Sequence, residues 1–277
     1  MATMTTPQTT GRLRARPIDS RLVWGFLGVV LAVAVWQAAA ARLGPYRLPP
    51  LETILPQVFP LLSESTLLEF QGGGSEGLWP HLRHTVLFTL AGSAVGITAG
   101  IVTGLAMARW GRFRTAAELP IEVLRTIPPL AAIPFFLIWI GTTPLGQLMM
   151  VGFYTFVMLV VTTLNAAANV DPIYPRFAAT LGAGQNRIFR TVIFPAMVPT
   201  IAGGIRVAVG VALGVQVVAE LMGGRQGMGQ VFSMMISFQA LDVIIVGIFW
   251  IAVAAVIIDL VLVWCIRHLT RWTTTQR

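Results

Sequence analysis

The chain has 277 residues, of which 56% are hydrophobic and 11% are charged. This composition excludes an ordinary soluble globular domain and indicates an integral membrane protein. The formal charge of +8 does not indicate nucleic-acid binding, because the basic residues lie at the ends of apolar runs and form no continuous stripe. The single cysteine, Cys265, excludes a disulfide framework and a cysteine-based metal site.

Apolar runs of membrane-spanning length recur along the chain and predict an all-α protein with six transmembrane helices. A tail over residues 1–21 precedes the transmembrane domain, residues 22–272, and a second tail over residues 273–277 follows it. A signal peptide is the alternative for the first run, which is longer than a usual signal core. The predicted spans are residues 22–41, 84–108, 118–140, 145–164, 196–222 and 241–266.

Between the first two spans, residues 51–70 show apolar positions at roughly helical spacing. They predict a helix along the outer membrane surface, bent at Pro56 and Pro60. In the second span, glycines recur every four residues, so that they lie on one helix face and let another helix approach closely. This row predicts a packing seam and not a ligand site; it comprises Gly92, Gly96, Gly100 and Gly104.

The third span, which contains Pro120 and three further prolines, is unlike a straight helix facing lipid. Each proline removes a backbone hydrogen bond, which is tolerated at membrane depth only against protein or a water-lined cavity. Glu122 and Arg125 either neutralise each other or mark a pathway. Asp259 in the last span either couples an ion or partners a polar group of a neighbouring helix. The predicted pathway or gate residues are Arg125, Pro128, Pro129, Pro134, Arg206 and Glu220.

Residues 165–195 form a polar interval between the fourth and fifth spans. The interval contains a turn at Asp171, two short helical segments separated by residues 181–184, and a second break at Pro195. Its helical pattern and the central Gly182 indicate a docking segment, although a solvated loop is the alternative. Most arginines outside the spans lie on the same side as this interval, so the positive-inside rule predicts that it and both termini are cytoplasmic.

This interval resembles the coupling loop of the membrane subunits of bacterial ABC importers, whose pattern is Glu-Ala-Ala, three residues, Gly, nine residues, then Ile-x-Leu-Pro. Gly182 precedes residues 192–195 at the family spacing, and Ala178 stands at the third position of the triplet. Arg176 and Phe177 replace the glutamate and the first alanine, so the glutamate contact is not carried over. The resemblance assigns ATPase coupling to Arg176, Phe177, Ala178, Leu181, Gly182, Ala183 and Pro195.

Other segments resemble the permeases of nitrate, sulfonate and taurine importers, one branch of that family. They include residues 48–50, residues 125–134, and Ala219-Glu220 followed by residues 227–229. The similarity extends from about residue 22 to residue 268. Phe88 stands where this branch has an arginine, so the anion contact proposed there in relatives is not carried over.

The resemblance implies the type I ABC importer permease fold with a cytoplasmic coupling helix, in a multi-pass protein of the bacterial cell membrane. It also implies a second copy of the chain, two ATPase subunits that bind ATP and Mg, and a periplasmic or lipid-anchored binding protein. Membrane lipids surround such a subunit, and nucleic acid has no role. No catalytic or metal-binding residue is expected. The expected substrate is a small anion such as a sulfonate, taurine or nitrate.

Three alternatives stay open at this stage. A secondary transporter or channel would need no ATPase, but no convincing internal repeat supports it. An importer of a non-anionic organic solute would have the same architecture. An intramembrane enzyme has no supporting constellation. The sequence contains no G-x-x-x-x-G-K-S/T pattern, so we expect ATP hydrolysis to occur on a separate chain.

Overall fold

The computed structural model describes residues 20–70 and 73–269. Regular structure in this part of the chain is helical, without a strand. The predicted tails, residues 1–21 and 273–277, lie outside the described residues except for the first two residues of the first helix. The chain divides into two compact units, Met1–Thr53 and Ile54–Arg277.

Thirteen α-helices occur in the described residues, together with a 3₁₀ turn, Leu55–Gln57, and a π-helical turn, Phe189–Ile193. In chain order the α-helices are α1 (Ser20–Leu43), α2 (Leu51–Ile54), α3 (Pro60–Ser63), α4 (Thr66–Phe70), α5 (Trp79–Arg109), α6 (Gly111–Thr126), α7 (Pro129–Ile140), α8 (Pro144–Ala168), α9 (Ile173–Thr180), α10 (Gln185–Ile188), α11 (Phe194–Leu221), α12 (Met228–Ser237) and α13 (Leu241–Leu269).

Within the described residues, five helical stretches are long and apolar enough to cross a membrane, and α6 with α7 makes a sixth if that bent pair is one span. Each predicted span coincides with one of these elements, although α5 begins earlier than predicted, at Trp79. In the first unit, the chain after α1 turns back along it: the indole Nε1 of Trp36 donates to Pro49 O at 3.2 Å, and Gln37 Oε1 accepts from Leu51 N at 3.2 Å.

The third predicted span is not one continuous helix. The axes of α6 and α7 differ in direction by 99°. Between them Ile127 and Pro128 are extended, with ψ of 116° and 133°. Both residues precede a proline, whose ring disfavours the helical conformation of the residue before it. The tandem prolines therefore break the span, whereas Pro120 and Pro134 lie inside α6 and α7.

Residues 51–70 form short helices and a 3₁₀ turn in place of one bent helix. The interruptions lie where they were predicted, since Pro56 is in the 3₁₀ turn and Pro60 starts α3. The break expected at Pro195 is absent, since the chain is helical from Gln185 to Leu221. A proline ring collides with the carbonyl four residues earlier in an α-helix. Here that carbonyl belongs to Thr191, within the π-helical turn, whose wider winding accommodates the proline.

The packing seam predicted on α5 is confirmed. A Cβ added at Gly92 would lie 2.8 Å from Val151 Cβ of α8, and one at Gly100 would lie 2.6 Å from Phe156 O. A Cβ at Gly96 would overlap with Thr155 Oγ1 and Gly152 O. At each point a larger side chain would push α8 away, so the glycines set the distance between α5 and α8.

Helix α8 is the centre of the second unit, because it packs against α5 and also against α11. Its contact with α11 contains two apolar clusters of buried residues. One cluster includes Ile133, Met150 and Val215, and the other includes Leu159 and Met197. These contacts hold α5, α8 and α11 together and position the segments attached to their ends.

Gly96→Ala should destabilise the protein, because the added methyl group would enter the α5–α8 contact. Overpacking of this kind costs about 1–3 kcal/mol. The measurement is the melting temperature of the purified chain in detergent. Gly28→Ala in α1 is the matched control, since no described atom lies within 4 Å of a Cβ built at Gly28. Equal melting temperatures for the two variants would contradict the proposed packing.

Candidate functional site

Residues 165–195, which we call the coupling segment, are folded as a helical hairpin. Helix α9 ends at a left-handed glycine, Gly182, with φ of 80°. Gly182 N donates to Ala179 O at 3.0 Å, and Ala183 N donates to Ala178 O at 3.1 Å. This pair of bonds is the Schellman arrangement that closes helix C-termini. Gly182 therefore reverses the chain between α9 and α10, and Gly184 is the N-cap of α10.

Helix α9 and the turn after it expose large apolar side chains. Ile173, Tyr174, Phe177 and Leu181 are 62%, 61%, 65% and 73% exposed, and we call these four residues the coupling surface. Arg176 is exposed beside them. An exposed apolar cluster with a charged rim is typical of a protein docking site. Of the residues assigned to coupling, Pro195 lies apart, in the first turn of α11.

The coupling segment is attached to the membrane-spanning core at two points. The side chain of Ile188 in α10 is buried, with 4% exposure. The guanidinium of Arg109, at the end of α5, donates a hydrogen bond to Asn186 Oδ1. The π-helical turn then continues directly into α11. A displacement of the coupling surface would therefore be transmitted to α5 and α11.

The break between α6 and α7 borders a cavity of about 360 Å³ between α6, α8 and α11. Its lining is mainly apolar, and Arg125 is the charged side chain among the described residues that line it. Arg125 Nε lies 2.7 Å from Glu122 Oε2, and both side chains are about half exposed. The hydroxyl of Tyr154 reaches Pro128 O and Pro129 O, at 3.3 Å each. Tyr154 of α8 therefore contacts the backbone where α7 begins.

The predicted pathway residues do not converge on one site. Arg125 and Pro129 line the cavity at the break, and Pro128 contributes a carbonyl beside it. Pro134 lies farther along α7. Arg206 lines a different cavity, of about 350 Å³, between α11 and α13. We call the first of these cavities the transport cavity, because it combines a proline-broken backbone with a charged group.

Arg206 forms a two-pronged ion pair with Asp259 of α13. Arg206 Nε donates to Asp259 Oδ1 at 2.8 Å, and a terminal guanidinium nitrogen donates to Oδ2 at 2.7 Å. Of the two interpretations of Asp259, partnership with a neighbouring helix is confirmed. The pair joins α11 to α13 within their spans, and each charge neutralises the other there.

Glu220 is fully buried and lines neither of these two cavities. Its Oε1 accepts from Gln216 Nε2 at 2.8 Å, with His84 Nδ1 at 3.4 Å, and its Oε2 accepts from Thr85 Oγ1 at 2.8 Å and Gly229 N at 3.1 Å. Gln216 Nε2 also reaches Gln147 Oε1 at 3.0 Å. We call Glu220, Thr85, Gln216 and Gln147 the polar cluster.

The polar cluster caps α12 from outside that helix. Thr85 Oγ1 accepts from Met228 N at 2.9 Å, so two amide groups of the first turn of α12 are satisfied by Thr85 and Glu220. Negative charge at a helix N-terminus also interacts favourably with the helix dipole. A Cβ at Gly227 would overlap with the Glu220 carboxylate. Positions 227 and 229 are therefore glycines, because the backbone at both positions packs directly against Glu220.

Two histidines extend this cluster. His81 Nδ1 accepts from Gly227 N at 3.2 Å, so its Nε2 carries the proton and donates to Gly73 O at 3.0 Å. The ring of His84 stacks on Phe88, with centroids 4.1 Å apart. Phe88 thus supports the histidine that contacts Glu220.

Sequence reasoning missed α12 and the partners of Glu220. The predicted elements include no helix between residues 222 and 241, where α12 lies. Gln216 and Glu220 are four residues apart in an apolar run, so they lie on one helix face. That spacing was an available signal for a buried polar site. Thr85 and Gln147 had no comparable signal, because they lie on other helices far away in sequence.

Comparison with known proteins identifies the family of this chain. Residues 96–275 match the family described as binding-protein-dependent transport system inner membrane component. The chain belongs to this family. The match includes both the coupling segment and the transport cavity. It places the protein in a membrane, with several membrane-crossing helices.

Curated relatives extend the similarity beyond the matched segment. The permease is 29% identical over 248 residues to the taurine transport system permease protein of Escherichia coli (strain K12), covering 90% of this chain and 88% of the relative. It is 28% identical over 269 residues to a Bacillus subtilis (strain 168) protein named for aliphatic sulfonates transport, covering 96% and 94%. It is 27% identical over 203 residues to the formylaminopyrimidine transport permease protein of Halalkalibacterium halodurans, covering 72% and 76%.

Solved structures agree with the fold. The permease aligns with a chain of the MetNI methionine ABC transporter in an inward-facing conformation, with a TM-score of 0.57, 16% identity, and coverage of 71% of this chain and 97% of that one. It also aligns with a chain of an amino acid ABC transporter, with a TM-score of 0.58, 17% identity, and coverage of 74% and 96%. The predicted type I importer permease fold is confirmed.

The chain is therefore the permease subunit of a binding-protein-dependent ABC importer. Such subunits are not enzymes, and ATP is hydrolysed on a separate chain. Among the alternatives considered from sequence, the secondary transporter and the intramembrane enzyme are thereby set aside.

Glu220→Ala should strongly destabilise the permease, because Thr85, Gln216 and Gly229 would lose their common acceptor in a buried site. Leaving a buried donor without an acceptor costs about 1–3 kcal/mol for each group. The measurement is the melting temperature in detergent. Glu118→Ala is the control, since Glu118 forms a half-exposed pair with Arg114 and should contribute at most about 1 kcal/mol. Equal melting temperatures for the Glu220 variant and the control would refute the role of the polar cluster.

Proposed function

We propose that two copies of this permease form the pathway of an importer for a small organic anion, such as a sulfonate or taurine. The observation that carries the proposal is the transport cavity, which has a mainly apolar lining and contains the guanidinium of Arg125 beside the proline break. Two ATPase subunits drive the transport and bind ATP with Mg, and a periplasmic or lipid-anchored protein delivers the substrate.

The chemistry of the transport cavity fits an anion with an apolar body. Arg125 provides a planar donor for sulfonate or carboxylate oxygens. Met158, Val161 and Val211 provide apolar surface for a short carbon chain. A volume of about 360 Å³ lies within the range of small-molecule sites. An inorganic anion such as nitrate would use the guanidinium but little of the apolar wall, so an organic anion fits better.

The names of relatives support this substrate class. The taurine and aliphatic sulfonates relatives cover most of the chain. A second candidate is a neutral heterocycle, because the formylaminopyrimidine permease is also similar. The mainly apolar lining of the transport cavity would accept such a ring, but Arg125 would then have no anionic partner from the substrate.

The coupling surface is the proposed docking site of the ATPase. Its exposed apolar side chains need a partner, and they lie on a segment connected to both α5 and α11. Because the arginines outside the spans favour this side, we place the coupling segment and both termini in the cytoplasm of a bacterial cell. Closure of the ATPase dimer would then move the two permease copies as rigid bodies.

A second copy of the permease is supported by one face of α11. Gly203, Gly210 and Gly214 follow one another at helical spacing, and no described atom lies within 4 Å of a Cβ built on any of them. Small residues let helices of two subunits approach closely in lipid. A closed twofold dimer is the commonest arrangement for identical subunits.

Gly182→Trp should prevent ATPase binding while the permease still folds, because a bulky side chain would project from the turn of the coupling segment. The measurement is copurification of the ATPase from native membranes through a tagged permease, together with ATP hydrolysis. Gly74→Trp is the matched control, since Gly74 is also exposed, has φ of 93°, and has no described atom within 4 Å of a built Cβ. Normal ATPase binding by the Gly182 variant would refute the assignment of the coupling segment.

Arg125→Gln should slow the uptake of taurine or an alkane sulfonate into proteoliposomes about tenfold or more. The reason is the loss of a charge-assisted hydrogen bond, which contributes about 1.5–3 kcal/mol. Arg125→Lys should retain part of the activity, because it retains the charge.

Two control variants test why uptake becomes slower. Glu122→Gln combined with Arg125→Gln removes both charges of the pair, and it should be as slow as the single variant if the guanidinium itself binds substrate. Arg114→Gln removes a positive charge from the same helix and should transport normally. Recovery of transport in the double variant would show that unpaired Glu122 was the cause and would contradict anion binding by Arg125.

A further inference from the structure

A second cavity lies where α5 meets the coupling segment. It has a volume of about 350 Å³ and is separate from the transport cavity. One wall is a face of α5 that includes Val102, Leu105 and Ala106, and the other belongs to α10 and the π-helical turn. The coupling surface residues do not line it. An ATPase on the coupling surface would therefore leave room for another occupant.

The polar end of this cavity is positively charged. Arg109 and Arg190 both line it, one from each wall. Arg109 donates to Asn186, whose side-chain amide is neutral. Across residues 20–70 and 73–269, neither arginine has a carboxylate within ion-pair distance. Two guanidiniums thus face one cavity without an anionic partner from the described chain.

The other end of the cavity is apolar and belongs to a membrane-spanning helix. Val102 is 61% exposed, and Trp110 at the end of α5 is 60% exposed beside the arginines. Tryptophan is typical of the boundary between headgroups and hydrocarbon. The cavity therefore presents charge at one end and an apolar groove at the other.

We propose that this cavity binds an anionic phospholipid, with its phosphate between Arg109 and Arg190 and an acyl chain along Val102 and Leu105. Guanidinium groups bind phosphate oxygens in pairs, and basic pockets at the cytoplasmic ends of membrane helices bind anionic headgroups. A free phosphate would leave the apolar groove unused. The bound lipid would connect α5 to the coupling segment, in parallel with the bond from Arg109 to Asn186.

This inference rests on the proposed function for the side of the membrane, because the coupling segment places the cavity in the cytoplasmic leaflet. A lipid there would hold the coupling segment in a fixed position relative to α5. Coupling between the ATPase and the permease would consequently depend on the anionic lipid content of the membrane.

The test measures lipid binding to the purified, delipidated full-length permease by native mass spectrometry. The probes are dioleoylphosphatidylglycerol and, for comparison, dioleoylphosphatidylcholine. The wild-type chain should bind the anionic lipid about tenfold or more tightly than the neutral one. Arg109→Gln combined with Arg190→Gln should remove that preference. Arg112→Gln should keep it, since Arg112 is a neighbouring arginine outside the cavity.

Three results would overturn the proposal: no preference in the wild type, a preserved preference in the double variant, or an equal loss in Arg112→Gln. Excess glycerol 3-phosphate should not displace the lipid, and full displacement would show a site for free phosphate instead. If the double variant misfolds, Arg190→Gln alone serves, because Arg190 is exposed.

The same variants separate this proposal from the proposed function. Lipid binding is measured on the permease alone and needs no ATPase. Failure of the wild type to copurify an ATPase would refute the proposed coupling, while lipid binding would still be measured. A double variant that keeps its lipid preference but loses the ATPase would assign the two arginines to a protein interface and refute the lipid site.

Discussion

The close contact between α5 and α8 is the constraint on which the rest of the second unit depends. Lipid gives no hydrophobic force to bring helices together, so their association depends on packing distance and buried polar contacts. The glycine row on α5 allows α8 to approach, and α8 then supports α11 on its other side. The polar cluster adds the second type of contact, because Glu220 of α11 accepts a hydrogen bond from Thr85 of α5.

Within this framework, the packed helices α5 and α11 and the broken span formed by α6 and α7 have different roles. Near one end of α5 and α11, Glu220 and Thr85 hold α12 through its first backbone amides. Near the other end of α5, Arg109 holds the coupling segment. Between α6 and α7, the tandem prolines leave carbonyls that cannot form helical bonds, and the transport cavity lies beside them. A movement of the coupling segment therefore acts on a packed core that includes one broken span.

The charged residues within the spans show that the sequence alone does not identify which residues line a cavity. Arg125, Arg206 and Glu220 have the same standing in sequence, since each is an ionisable residue in an apolar run. In the structure Arg206 is paired with Asp259, Glu220 is enclosed by donors, and Arg125, which is paired with Glu122, borders the transport cavity. The surroundings of each group, and not its charge, distinguish these three residues.

The sequence by itself determined the approximate position of the long apolar helices, the glycine seam and the turn at Gly182. Each of these depends on the residues of one short stretch: the length of an apolar run, a spacing of four, or a turn glycine. Only the tertiary structure decided that α6 and α7 diverge by 99°, that Pro195 continues a helix, and that Glu220 meets Thr85. Such features depend on contacts between distant parts of the chain, or on strain that a neighbouring turn relieves, and no local pattern encodes them.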